Sequence, residues 1–302
     1  MRNRSARFIQ NTLVLAALVV ACSASGDQRI FDTPEAAVQA LIEALAADDL
    51  DELARIFGPE STELLREADR EDAKRDRALI SDHAKREGTR LSEISEGEQL
   101  LLIGAKDWPF PVPLVHEEER WRFDTAAGLE EIADRRVGEN ETTAITVARV
   151  YGEAQEEYAR EDREGDLVRE YAQRLISTPG NRDGLFWPVD EGSDEEPSPF
   201  GPLIAEAREA QPDYERGEPF KGYFFEILTR QGSNPPGGEF DYIINGNMIA
   251  GFGLVAFPAD YGKSGVMTFV VSHQGAVFQK DLGPFAGMDR YDPDSSWTAV
   301  AD

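Results

Sequence analysis

Cys22 is the chain's one cysteine, and it closes the stretch Val19-Val20-Ala21-Cys22. A small residue directly before a cysteine, at the end of an apolar run, is the pattern of a lipobox. The chemistry it implies is acylation of the thiolate, followed by cleavage that leaves Cys22 as a lipidated N-terminus. Arg2, Arg4 and Arg7 form a positive n-region, and Phe8 to Ala21 is apolar apart from Gln10, Asn11 and Thr12. That run is too short to cross a bilayer, so residues 1–21 read as a signal peptide. The competing reading is an ordinary secretory signal with a cysteine at its end. The position of Cys22 and the lack of a second cysteine favour lipid attachment. Acylation would use the one thiol, leaving no disulfide, so the fold must rest on packing. Ser23 follows where an aspartate would argue for inner-membrane retention. The expected location is therefore the periplasmic face of the outer membrane, with the membrane reached through the anchor at Cys22.

Elsewhere, residues that could do chemistry are sparse. His83, His116 and His273 are the three histidines. His116-Glu117-Glu118-Glu119 lacks the second histidine of a zinc-protease helix, and no Gly-x-Ser-x-Gly elbow, phosphate loop or dinucleotide fingerprint occurs. The sequence points to no metal and no cofactor. With 58 acidic residues, paired carboxylates arise by chance, so no glycosidase-like dyad can be singled out. Two aromatic-proline segments stand out: Trp108-Pro109-Phe110-Pro111 and Phe186-Trp187-Pro188. Trp108, Phe110 and Trp187 could stack on a sugar or receive a peptide, but aromatics also plug core edges through their large buried area, which is the favoured reading. Arg135-Arg136 could hold a partner's carboxylate. Internal pairing is favoured, because acids are abundant.

The formal charge of −27 becomes −30 once the leader's three arginines are removed. Such a charge repels phosphates, so nucleic acid is excluded as a partner. Hydrophobic residues make up 41%, enough for real cores in two ordinary domains.

These residues need elements to position them. Residues 22–30 read as a tether. Thr33 as N-cap and Pro34 at N1 open a helix whose Val38, Leu41, Ile42 and Leu45 share a face. A second helix carries Leu50, Leu53, Ile56 and Phe57 and stops at Gly58-Pro59. Residues 60–90 are charged and helical in character. Gln99 to Ile103 and the alternating Trp121 and Phe123 predict strands, and Pro109, Pro111 and Pro113 between them predict an edge or loop. This order matches NTF2-like α+β cones by analogy. Ala144, Ala148, Tyr151, Ala154 and Tyr158 form a helical stripe, with helices expected to connect the two halves over 129–176. Asp190 to Glu196 reads as a solvated loop. Tyr223 to Thr229 predicts a strand. Asn245-Gly246 predicts a type I′ hairpin between Phe240–Ile244 and Met248 onward. A second hairpin is centred on His273-Gln274-Gly275. The expected fold is α+β: an N-terminal helical hairpin with antiparallel sheet over 31–128, connecting helices, and a C-terminal antiparallel β-meander over 177–302.

Several blocks stand out: Asp107-Trp108-Pro109-Phe110-Pro111, Trp121-Arg122-Phe123-Asp124-Thr125-Ala126-Ala127-Gly128, Glu170-Tyr171-Ala172-Gln173-Arg174, Ser177-Thr178-Pro179-Gly180, and Pro199-Phe200-Gly201-Pro202-Leu203. The longest runs from Asp241-Tyr242-Ile243-Ile244-Asn245-Gly246 through Gly265-Val266-Met267-Thr268-Phe269 to Gln279-Lys280-Asp281-Leu282-Gly283. Together these blocks resemble the bacterial family DUF2950, and the resemblance implies no established activity and makes export unsurprising. Related sequences carry a calcium-like Asp-Arg-Asp-Gly-Asp-Gly, where this chain reads Asp162-Arg163-Glu164-Gly165-Asp166-Leu167. Leu167 in place of the turn glycine, and Gln173 in place of a closing glutamate, argue against calcium here. Residues 220–282 also resemble the globular sheet of pseudopilins, without the apolar helix needed to polymerise. The expected function is a non-enzymatic envelope lipoprotein that binds an envelope protein or cell-wall component. The alternative is an envelope hydrolase acting on glycan or peptide through carboxylates.

Overall fold

The computed structural model describes residues 28–61, 65, 71–163, 165–189, 196–202 and 218–301. Cys22 and the leader lie outside the described residues, as do Asp190 to Glu195. The chain divides into two compact units, one up to Arg136 and one from Val137 onward.

In the first unit, α1 (Pro34–Ala47) starts where the Thr33 hydroxyl accepts the Ala36 amide at 3.2 Å. It ends at Asp48, whose φ of 53° turns the chain out of the helix. The Asp49 carboxylate accepts the Glu52 amide and caps α2 (Leu50–Phe57), which Gly58 terminates at φ 77°. In α3 (Glu71–Glu87), Arg77 reaches back to Asp48 with 2.7 Å between Nε and Oδ1, tying α3 to the α1–α2 turn. Five antiparallel strands follow: β1 (Thr89–Ser95), β2 (Glu98–Ile103), β3 (Trp108–Pro109), β4 (Leu114–Glu117) and β5 (Arg120–Phe123). Their order is β1-β2-β4-β5, with β3 also beside β2. Period-2 alternation sends Leu101, Leu114 and Phe123 into the core against Leu41, Leu53 and Ile56, and all six are essentially buried.

Helix α4 (Thr125–Tyr158) begins where the buried Thr125 hydroxyl donates to the Phe57 carbonyl. The boundary between the units falls within it. The expected stripe is real: Ala144, Ala148, Tyr151, Ala154 and Tyr158 are all buried. The helix differs from expectation in extent. It is continuous from Thr125 and ends at Tyr158, and the described residues among 159–176 form no further helix. Gln155 shows why the chain runs extended instead. Its side chain accepts the Ala172 amide and donates to the Ala172 carbonyl, at 2.7 and 2.8 Å, as a neighbouring strand would.

The second unit also holds β6 (Tyr223–Leu228), β7 (Arg230–Gln231), β8 (Phe240–Asp241), β9 (Ile243–Ile244), β10 (Asn247–Met248), β11 (Gly253–Pro258), β12 (Met267–Ser272), β13 (Val277–Asp281) and β14 (Thr298–Ala299). The main sheet is antiparallel, ordered β14-β13-β12-β11-β6. The hairpin at Asn245-Gly246 is present, with φ 54° and 97° in its turn. Its first strand, however, breaks at Tyr242. The Tyr242 amide bonds Thr229 while its carbonyl takes both Ile249 and Ala250, so β8 pairs with β7 and only β9 with β10. One face of the main sheet packs Leu254, Ala256, Phe269 and Val271 on α4 and the 171–189 segment. The other buries Leu228, Val255 and Val270 beneath Tyr291, with Phe285, Met288 and Trp297 alongside. Residues 282–297 thus form a strap across the sheet's second face. The molecule is α+β with a C-terminal antiparallel meander, as the pattern of elements predicted.

Candidate functional site

The structure brings Trp108, Phe110 and Arg135 together and closes them. Pro109 holds the short β3, Trp108 meets Phe110 edge-on at 6.3 Å, and Phe110 is buried between Phe57 and Phe123. Arg135 lies over the Trp108 ring at 5.8 Å, donates to the Pro109 carbonyl at 2.8 Å and pairs with Glu131 at 2.7 Å. Its charge and its ring partner are both taken up inside the unit. Arg136 is different: its Nε is buried without a hydrogen-bond partner among the described residues.

Trp187 is placed in the second unit by a tight turn. The Asp183 carboxylate accepts both the amide and the hydroxyl of Thr178. Burial alone would raise the Asp183 carboxyl, but those bonds and the nearby Arg174 hold it below the ordinary range. The turn delivers Trp187 into the core at 4% exposure. Arg163 and Arg182 stand 5.2 and 5.3 Å from its ring, and the Arg163 side chain is itself 4% exposed. Arg163 donates both terminal nitrogens to Glu196 at 2.9 and 3.1 Å, which lowers the Glu196 carboxyl. Trp187 and Phe110 are both buried, each within the hydrophobic core of its own unit.

The acidic segment after α4 also turns inward on itself. Asp162 accepts the amides of Gly165 and Leu167, while Asp166 accepts the Val168 amide and the Asn247 side chain. Leu167 takes the strained φ of 71° that a glycine would favour and is 93% exposed. Gln173 donates to the Gly246 carbonyl. Among the described residues, no group of three or more His, Cys, Asp or Glu is arranged to hold a metal ion.

The histidines are likewise scattered. His83 sits 3.1 Å from Glu87, and His116 packs on Trp121. The His273 ring lies between Tyr242 and Phe252, with its Nδ1 buried and unpartnered among the described residues. Among the described carboxyl groups, those clearly displaced from their ordinary values are all displaced downward. Arg122 does this for Glu117, and Arg290 for Asp289. For Glu52, the bonds from Arg55 and Arg29 outweigh the upward push of burial.

What the sequence reading missed is a groove on the strap side of the C-terminal sheet. It encloses about 650 Å³ and is lined by Glu226, Leu282, Gly287, Met288, Asp289, Arg290, Asp292 and Trp297. Leu282, Met288 and Trp297 give it an apolar floor, and the charged residues give it a rim. Trp297 was the available signal, an aromatic within a Gly-Pro-Asp-rich stretch, but its packing on a distant sheet face is not encoded locally. A second groove, of about 610 Å³, lies in the first unit. Val38, Ile42, Ala84 and Leu91 line it beside Glu35, Glu43 and Lys85.

Among the described residues, no helix is long and apolar enough to cross a membrane. No curated protein and no solved structure matches the chain. Residues 28–300 match the family described as "Protein of unknown function (DUF2950)", across the helices, the closed aromatic clusters and the groove alike, and the chain belongs to that family.

Proposed function

We propose that the protein is an exported cell-envelope lipoprotein, anchored through Cys22 on the periplasmic face of the outer membrane, that binds an envelope protein or cell-wall partner without chemistry. The observation that carries this reading is the contrast between closed and open features. The Trp108 and Trp187 clusters are saturated by their own arginines, while the groove beside Trp297 leaves apolar side chains at the surface. A partly apolar patch with a polar rim is the usual character of a protein-binding site. A carboxylate hydrolase would instead need one carboxyl group held protonated near neutrality. The displaced carboxyl groups here move the other way.

The test is a pull-down of the acylated protein from crosslinked cells, read by mass spectrometry, with Cys22→Ala as control. A stoichiometric partner that disappears with the anchor is the expected result. Recovery of trimmed glycan or peptide fragments in place of a partner would turn the assignment toward the hydrolase.

A further inference from the structure

Resting on the reading of the chain as a binding protein, we infer that the groove between the strap and the C-terminal sheet docks a short cationic, leucine-type peptide segment of the partner. The groove sets uncompensated negative charge beside apolar side chains. Arg290 is the lining's one cation, and it is spent: it bonds Glu239 at 3.1 Å and Asp289 at 3.1 Å. Asp289 is further held by Arg230 at 2.9 Å. Asp292 uses Oδ1 for the Asn234 amide and side chain. Among the described residues, Glu226 and the second oxygen of Asp292 have no such partner. Glu226 projects from the edge strand β6 and is exposed. Asp292 lies in the field of Arg290, so Glu226 is the charge in the lining that no described side chain neutralises, within a chain of net charge −27. A lysine or arginine brought by a partner would gain from both the local carboxylates and the wider field.

The floor decides between classes of partner. Leu282, at 38% exposure, and Met288 offer dispersion and desolvation but no hydrogen bonds. Of the polar groups that could donate to a sugar's hydroxyls, Arg290 is already bonded to Asp289 and Glu239. An aliphatic side chain suits that floor better than a glycan. Trp297 adds apolar surface, its ring already having Lys280 6.0 Å from its centroid. A volume of about 650 Å³ is within the range that takes a ligand of several side chains. A second copy of the chain would bring its own negative charge to the same place.

The experiment is calorimetric titration of the full chain with the peptide acetyl-Lys-Leu-Lys-Leu-Lys-amide at moderate salt. Acetyl-Glu-Leu-Glu-Leu-Glu-amide and chitotriose serve as competitors. Two charge reversals are compared: Glu226→Lys in the groove, and Glu93→Lys on the exposed strand β1. Glu226 makes no contact on which folding depends, and circular dichroism checks this for both variants. The expected result is binding that Glu226→Lys weakens about tenfold and Glu93→Lys less than about twofold, with neither competitor displacing the basic peptide. Equal losses in the two variants would reduce the effect to net charge and overturn the inference. So would displacement by chitotriose, absence of binding, or self-association through the groove. The pull-down separates the two readings. A partner still captured by Glu226→Lys leaves the binding function standing and removes the groove from it. Groove-dependent peptide binding with no partner in cells does the reverse.

Discussion

Arg163 and Trp187 show how the same residue types can mean recognition or packing. Trp187 beside Pro188 is legible in the sequence as a candidate, but its approach to Arg163 is not. In the fold, Arg163 stacks on Tyr158 and Trp187 and grips Glu196 with two bonds. Arg163→Lys keeps the charge and loses the fork and the stacking. It should cost about 1–3 kcal/mol, read as a lower urea midpoint with unchanged slope. Trp187→Ala should cost about 3–5 kcal/mol by the same measurement. The depressed carboxyl groups make a further prediction. Glu196, Glu117 and Asp183 bind protons less readily in the fold than in the unfolded chain. Their contribution is complete above the ordinary carboxylate range near about pH 4 and is lost as pH falls through and below it. Urea midpoints should decline steeply once the pH falls below about 4. A midpoint that does not fall there would contradict these assignments.

Elements were legible where a local signal fixes them. Thr33-Pro34 is a cap written into the chain, and α1 begins at it. Asn245-Gly246 likewise announces its turn. The strand before that turn was misjudged because Tyr242 exchanges its ladder bonds for Thr229, Ile249 and Ala250, contacts that depend on the whole fold. The run after α4 was misjudged for a similar reason, since Gln155 supplies a strand's bonds from a helix side chain. Gly246→Ala tests the turn. At φ 97° a Cβ is strained, so the substitution should cost about 1–2 kcal/mol. Faster amide exchange confined to Ile243–Met248 and the adjoining Gln173 contact would mark its place. The edge strand β1 carries a different local device. A register shift between Glu93 and Ser95, together with its exposed charges, discourages pairing with another chain.

At the scale of the whole molecule, the net charge of −27 dominates. Self-repulsion opposes the compact state, and added salt screens it within a shorter Debye length. The Tm should rise by a few degrees between about 10 mM and 300 mM sodium chloride. A falling Tm would mean that attractive pairs such as Arg163 with Glu196 outweigh the repulsion. The division into two units was legible only as a count of residues and cores. The boundary after Arg136 lies inside a continuous helix, and no composition shift marks it. The groove was illegible for a related reason. It is made by the strap meeting strands far earlier in the chain, with Glu226 and Trp297 brought together across the sheet.

The buried tyrosines have a consequence in the ultraviolet. Tyr151 donates its hydroxyl to the Gly253 carbonyl, Tyr158 to Arg182, Tyr223 to Met267 and Tyr242 to Gln231. Burial pushes the phenols of Tyr151, Tyr223 and Tyr242 far above the ordinary tyrosine range. As the solution is made alkaline, phenolate absorbance should stay well short of that of eight free tyrosines and then jump as the C-terminal sheet gives way. That spectral step would serve as a label-free clock for opening of the sheet that carries the groove.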